Sequence, residues 1–104
     1  MDIDASLLSK IKTSIRIKHT ALDEDVEDNI RACLTDLRVC GVRESVLDTS
    51  KELDPLVLNA VKLYCKAEYT DDPAKAARYM AGYDGLKSCL MMAEEYIEEA
   101  VSND

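Results

Sequence analysis

The chain has 104 residues and a mass of 11.6 kDa, room for one compact domain that buries roughly 60 to 68% of the surface its unfolded form exposes. Hydrophobic residues make up 47% and charged residues 33%, which excludes a disordered chain on one side and a membrane-embedded one on the other. Thirteen basic against 21 acidic residues give a net charge of −8, so the overall field opposes gripping a nucleic-acid backbone.

No apolar run approaches the ~20 residues that a bilayer span needs. The acidic start Met1-Asp2-Ile3-Asp4 is unlike a secretion signal, so the chain is expected to stay in the compartment where it is made. Cys33, Cys40, Cys65 and Cys89 form no CxxC pair, and one histidine is too few to complete a zinc site with them. They read as reduced, mostly buried thiols. With no Trp, no Phe, five Tyr, three Gly and two Pro, the core is expected to be Leu, Ile, Val, Ala, Met and Cys on packed helices.

In chain order, Asp4 is placed to cap a helix from Ala5, and Leu7, Leu8, Ile11 and Ile15 recur at helical spacing through Ile17. The polar face of this helix carries Lys10, Lys12, Arg16 and Lys18. Residues 1 to 20 are thus the only net basic stretch, four positive against Asp2 and Asp4. Thr20 or Asp23 then opens a second helix, with Asp23, Glu24, Asp25, Glu27 and Asp28 where the helix dipole favours negative charge. Its buried stripe is Val26, Ile30, Cys33, Leu34, Leu37 and Cys40, and Gly41 supplies the C-terminal stop.

Residues 42 to 53 lack sustained periodicity and read as an irregular loop, with room for a short turn. Asp54-Pro55 and Asp72-Pro73 each combine a capping carboxylate with a proline suited to the first helical position, so two more helices begin there. The third presents Val57, Leu58, Val61, Tyr64, Cys65 and Tyr69. The fourth presents Ala76, Tyr79, Met80, Tyr83, Leu86 and Leu90, and is expected to run unbroken through Gly82 and Gly85. Glu94 to Val101 extends that helix or frays from it, as an acidic tail over residues 94 to 104 with five negative charges and no positive one. The expected fold class is all-α, a bundle of about four helices with an irregular loop between the second and third, and the whole chain is expected to form one domain.

Reactive constellations are sparse. His19 lies beside Lys18 in a basic stretch and reads as a solvated or capping residue, not as part of a triad. The Asp23–Asp28 run lacks the glycine that a calcium loop needs, so it reads as a solvated first turn. Cys33 and Cys40 sit two helical turns apart, too far for a disulfide, with no basic group placed to activate either. No phosphate loop, GxGxxG or HExxH is present. The expectation is that the chain has no catalytic, cofactor-binding or metal-binding residues, requires no cofactor and is not an enzyme. The basic residues Lys10, Lys12, Arg16 and Lys18 read as a solvated face or as an interface to an acidic surface, which residues 23 to 28 and 94 to 99 of another copy would supply. Reversing Lys10, Lys12 and Arg16 together is expected to weaken such an assembly.

The stretch Asp54-Pro55-Leu56-Val57-Leu58-Asn59-Ala60-Val61-Lys62-Leu63-Tyr64-Cys65-Lys66-Ala67, followed after a turn by Tyr83-Asp84-Gly85-Leu86-Lys87-Ser88-Cys89-Leu90, resembles the small head-tail connector (adaptor, or DNA-packaging) proteins of long-tailed bacteriophages. The matching words span residues 54 to 92, and the upstream order of a short helix, an acidic turn and a glycine-stopped long helix agrees. Gly82, Gly85 and the acidic tail depart from the pattern. The resemblance implies a virion subunit at the head-tail junction, assembled in the bacterial cytoplasm from a phage or prophage gene. It further implies a homo-oligomeric ring of about a dozen copies beneath the portal protein, closed by a head-to-tail interface. Such a ring extends the channel for double-stranded DNA, which passes without specific binding, and docks a tail-completion protein. It implies no membrane and no catalysis. Two rivals from other classes are a small helical DNA-binding regulator, dimeric and strongly salt-dependent in duplex affinity, and a redox enzyme using a reactive cysteine.

Overall fold

Two Asp-Pro steps set the architecture. In the computed structural model, which describes residues 3–97, α1 covers Ala5–Ser14, α2 Asp23–Val39, α3 Pro55–Tyr69 and α4 Pro73–Met92, with a 3-10 turn at Glu44–Val46. The Asp54 carboxylate accepts the Leu56 N–H at 2.9 Å, and that of Asp72 accepts Ala74 N–H at 2.9 Å and Lys75 N–H at 3.4 Å. Each satisfies amide donors that a helix start leaves without an internal partner. The short turn at Thr70–Asp72 folds α4 back along α3, the most extensive helix pairing in the molecule. The fold is all-α. Among the described residues the only β pairing is a single antiparallel bridge between Val42 and Ile97.

The expected α2 stripe is buried at Val26, Ile30, Cys33, Leu34 and Leu37, with Cys40 half-buried at its end. It meets Val57, Ala60, Val61 and Cys65 of α3, while Leu7 and Ile11 of α1 cover one end. α4 buries only Tyr83 and Leu90 fully, and runs unbroken through both glycines. At Gly82 a Cβ would stand 3.4 Å from the Leu63 side chain, ordinary van der Waals contact, so the packing of α4 on α3 does not depend on the missing methyl.

Two expectations need correction. First, α1 stops at Ser14, not Ile17, and Asp4, although at the cap position, makes no side-chain cap hydrogen bond. The Thr13 and Ser14 hydroxyls donate to the Ser9 and Ile11 carbonyls at 2.9 and 2.8 Å, competing with helix propagation. Arg16 then turns left-handed at φ 61°, so that Ile17 N–H reaches back to the Lys12 carbonyl. The second helix opens at Asp23, one of the two expected starts. Leu22 takes the cap position, and Asp23, already helical, turns its carboxylate to Lys12 of α1.

The segment 42 to 53 is the expected irregular loop with a short turn, at Glu44–Val46, and it also joins the core, because Val42, Leu47, Thr49 and Leu53 are buried. The Asp48 carboxylate orders it by accepting Ser50 N–H and Oγ–H at 2.9 and 2.6 Å. Second, the tail does not prolong α4. Ala93 becomes extended, the chain turns, and Arg43 donates to the Ile97 carbonyl at 2.8 and 3.0 Å and to the Glu94 carbonyl at 3.2 Å. Tyr96 O–H donates to Asp54 at 2.9 Å, so the residue that caps α3 also anchors the returning segment. Glu98, Glu99 and the rest of the predicted tail lie outside the described residues, as does Asp2. The core itself contains Tyr83, and no methionine is fully buried among the described residues; Met92 is 83% exposed.

Candidate functional site

Charge organises the surface, so the predicted basic and acidic clusters are the first candidates. The structure divides the basic one. Lys12 forms a 2.6 Å ion pair with Asp23 and fastens α1 to α2, while Lys10 and Lys18 stand exposed on the α1 side. Arg16, carried round by the left-handed turn, joins a different group. It shares a cleft of about 290 Å³ with Lys66 near the end of α3 and Lys75 in the first turn of α4. Lys66 Nζ lies 5.7 Å from the centre of the Tyr79 ring, a cation–π contact that positions the ammonium at the cleft wall.

Sequence reasoning missed Lys66 and Lys75. A signal for them was present, because they flank the Thr70-Asp71-Asp72 turn and closing the helical hairpin brings them together. Arg16 could be added only by knowing that α1 ends early.

The acidic run is largely occupied within the chain. Asp23 takes Lys12, Asp25 accepts the Tyr69 hydroxyl, and Glu27 and Asp28 face Arg31 at 4.0 and 3.1 Å. Burial, and after it the Asp25 contact, push the Tyr69 phenol up to about 12. Glu24 remains exposed, as do Glu94 and Glu95 in the turn after α4.

The other polar cluster joins α2 to α4. Tyr83 O–H and Lys87 Nζ both donate to Asp36 Oδ2, at 2.6 and 3.0 Å. The Tyr83 bond, and then Lys87, hold the Asp36 carboxyl below its usual range despite some desolvation, and Asp36 in turn raises the lysine. This arrangement is a clamp. The tyrosine is buried and its phenol is pushed up by that burial, so it stays a neutral donor.

His19 stands exposed in the bend between α1 and α2. All four cysteines are free. Cys33 and Cys65 are buried, Cys40 is half-buried and Cys89 is exposed, so the expectation of mostly buried thiols holds for two fully buried side chains. Burial raises the Cys33 thiol and lifts Cys65 to about 12, which suppresses the nucleophilic thiolate at both. Among the described residues no group of three or more His, Cys, Asp or Glu side chains could hold a metal ion, and no helix is long and apolar enough to cross a membrane.

The structure defines a small all-α protein whose organised features are charged surfaces and interhelical clamps. The family model described as phage connector protein matches residues 7–97, from the first buried leucine of α1 to the bridge at Ile97. The chain belongs to the phage connector protein family. No curated protein and no solved structure matches it.

Proposed function

We propose that this chain is a non-enzymatic structural subunit of the phage head-tail junction. It assembles into a ring beneath the portal, extends the DNA channel and presents a docking surface to a tail-completion protein. In this reading it is one domain, acts within the virion and assembles in the host cytoplasm without cofactor or metal. Membership of the connector family over residues 7–97 is the observation that carries the reading.

The physical properties support it. A conduit for DNA should hold the duplex weakly, and a net charge of −8 limits attraction to phosphate. Exposed cations at Arg16 and Lys75 and exposed carboxylates at Glu24, Glu94 and Glu95 give the subunit surface of both signs, suited to a heterologous interface that closes when the rotation per copy allows.

Native mass spectrometry across a concentration series tests the proposal. A closed ring of many copies is the expected species. A dimer that binds duplex with steep salt dependence would instead identify the DNA-binding regulator. Virions assembled without the protein should accumulate unjoined heads and tails, and normal joining in its absence would overturn the assignment.

A further inference from the structure

The cleft at the end of α1 is the least self-sufficient part of the molecule. Arg16, Lys66 and Lys75 come from three different elements and line one recess of about 290 Å³, and no ion pair neutralises any of them among the described residues. Two carboxylates stand beside the cleft, Asp25 accepting the Tyr69 hydroxyl and Asp72 the Lys75 N–H, but neither closes an ion pair with the three cations, which leaves them open to a further carboxylate.

The backbone at Arg16 makes the same point independently. α1 and α2 end in the same hydrogen-bonded turn: Gly41 N–H reaches the Arg38 carbonyl and Val42 N–H that of Leu37, while Arg16 N–H reaches Thr13 and Ile17 N–H reaches Lys12. The residue at the left-handed position is glycine in one, at φ 109°, and arginine in the other, at φ 61°. Glycine adopts this conformation without the Cβ clash that arginine must bear. Arginine there sacrifices local stability and places a guanidinium at the cleft.

Resting on the ring reading, we propose that the Arg16–Lys66–Lys75 cleft receives a carboxylate side chain from a neighbouring copy of this chain. The recess has Ile15 and Tyr79 in its wall, apolar surface suited to the methylene stem of an inserted Glu or Asp, with the three cations around its head. A recess of this size admits a side chain better than it meets the convex backbone of a duplex, and the net charge opposes DNA at longer range. A second copy supplies the required chemistry, because Glu24, Glu94 and Glu95 are exposed. The polar face of α1 alone does not carry the contact, since Lys12 is already paired within the chain.

The test mixes unlabelled and isotopically labelled full-length protein, allows it to self-associate, and applies a zero-length carbodiimide cross-linker that joins a lysine only to a carboxylate in direct contact. Lys66 or Lys75 is expected in a mixed-isotope cross-link. The double variant Lys66→Glu/Lys75→Glu, checked for unchanged helicity and urea midpoint, is expected to raise the concentration for half-assembly by about tenfold or more. Lys10→Glu/Lys18→Glu, on exposed sites outside the cleft, should change it much less.

Assembly with no cross-link from Lys66 or Lys75, or with equal sensitivity to both double variants, would overturn the cleft proposal and leave the ring standing. A monomer at every concentration would overturn both. Duplex binding lost in Lys66→Glu/Lys75→Glu would make the cleft a nucleic-acid contact and overturn the proposal. Should the double variant misfold, the cross-link on the unmodified chain decides alone.

Discussion

Tyr83 donates its hydroxyl to Asp36 at 2.6 Å across the α2–α4 contact, and its ring meets Tyr64 of α3 edge-on with centroids 5.3 Å apart. One side chain thereby couples three helices, one by a polar bond and another by aromatic packing. Tyr83→Phe keeps the packing and removes the bond, so it should destabilise the fold by about 1 to 2 kcal/mol in urea titration. The Asp36 carboxyl should return toward the ordinary range, because the bond that chiefly lowers it is gone. A wild-type urea midpoint in the variant would show that the hydroxyl contributes nothing net.

The acid limb of stability follows from the same carboxyl. Its folded pKa lies below the ordinary 3.8, so its stabilising contribution is present above that value and is lost as pH falls through the lower folded pKa. The alkaline limb runs in the opposite sense. Cys65 rises from 9.0 to about 12 and Tyr69 from 10.0 to about 12, and Cys33 and Tyr83 are raised as well. Their contributions are intact below the unfolded values and decline as pH climbs from about 9 toward the folded ones. Chemical denaturation between pH 7 and 11 should show stability falling from about pH 9 upward; a flat profile would contradict the buried, neutral state of these groups.

Thiol labelling separates the four cysteines. Cys89 is exposed and should react first with a maleimide, with half-buried Cys40 behind it. Cys33 and Cys65 should react only as fast as the protein opens, since both are buried and their thiolates suppressed. Mass spectrometry of the timed products gives the order. A native-state rate at Cys33 or Cys65 above that of a free model thiol would revive the redox reading.

The Asp-Pro helix starts, the Gly41 stop and the α2 stripe were legible in the sequence because each rests on neighbours within one or two turns. The cleft was not. Its residues lie at positions 16, 66 and 75, and their meeting depends on α1 ending at Ser14, which the apolar recurrence at Ile15 and Ile17 conceals. The burial of the loop over 42 to 53 was hidden for a related reason: Val42, Leu47 and Leu53 are buried by tertiary contact without the regular spacing that flags a helix face. The returning tail depends on Arg43 finding carbonyls more than fifty residues away, which periodicity cannot report.

That returning segment gives a prediction of its own. Arg43→Ala removes the side-chain donors to Ile97 and Glu94 but leaves the backbone bond from Arg43 N–H to the Tyr96 carbonyl. Residues 94 to 97 should exchange amide hydrogens faster, while the α2 and α3 core keeps its protection. If the core loses protection in parallel, the segment is part of the cooperative unit and not a latch upon it.

The turn at Arg16 separates backbone strain from charge. Arg16→Gly removes the guanidinium and relieves the left-handed conformation, whereas Arg16→Ala removes the guanidinium and keeps a Cβ at φ 61°. The glycine variant should therefore be the more stable of the two by about 1 kcal/mol in urea, the scale of the left-handed penalty for a residue with a Cβ. Both variants should self-associate more weakly than the parent chain, because both lose a cation from the cleft. A chain made more stable and less able to assemble by the same substitution would show that arginine holds this position for its charge. Equal stability of the two variants would mean that the turn imposes no strain, and undiminished assembly in both would mean that the guanidinium takes no part in the contact between copies.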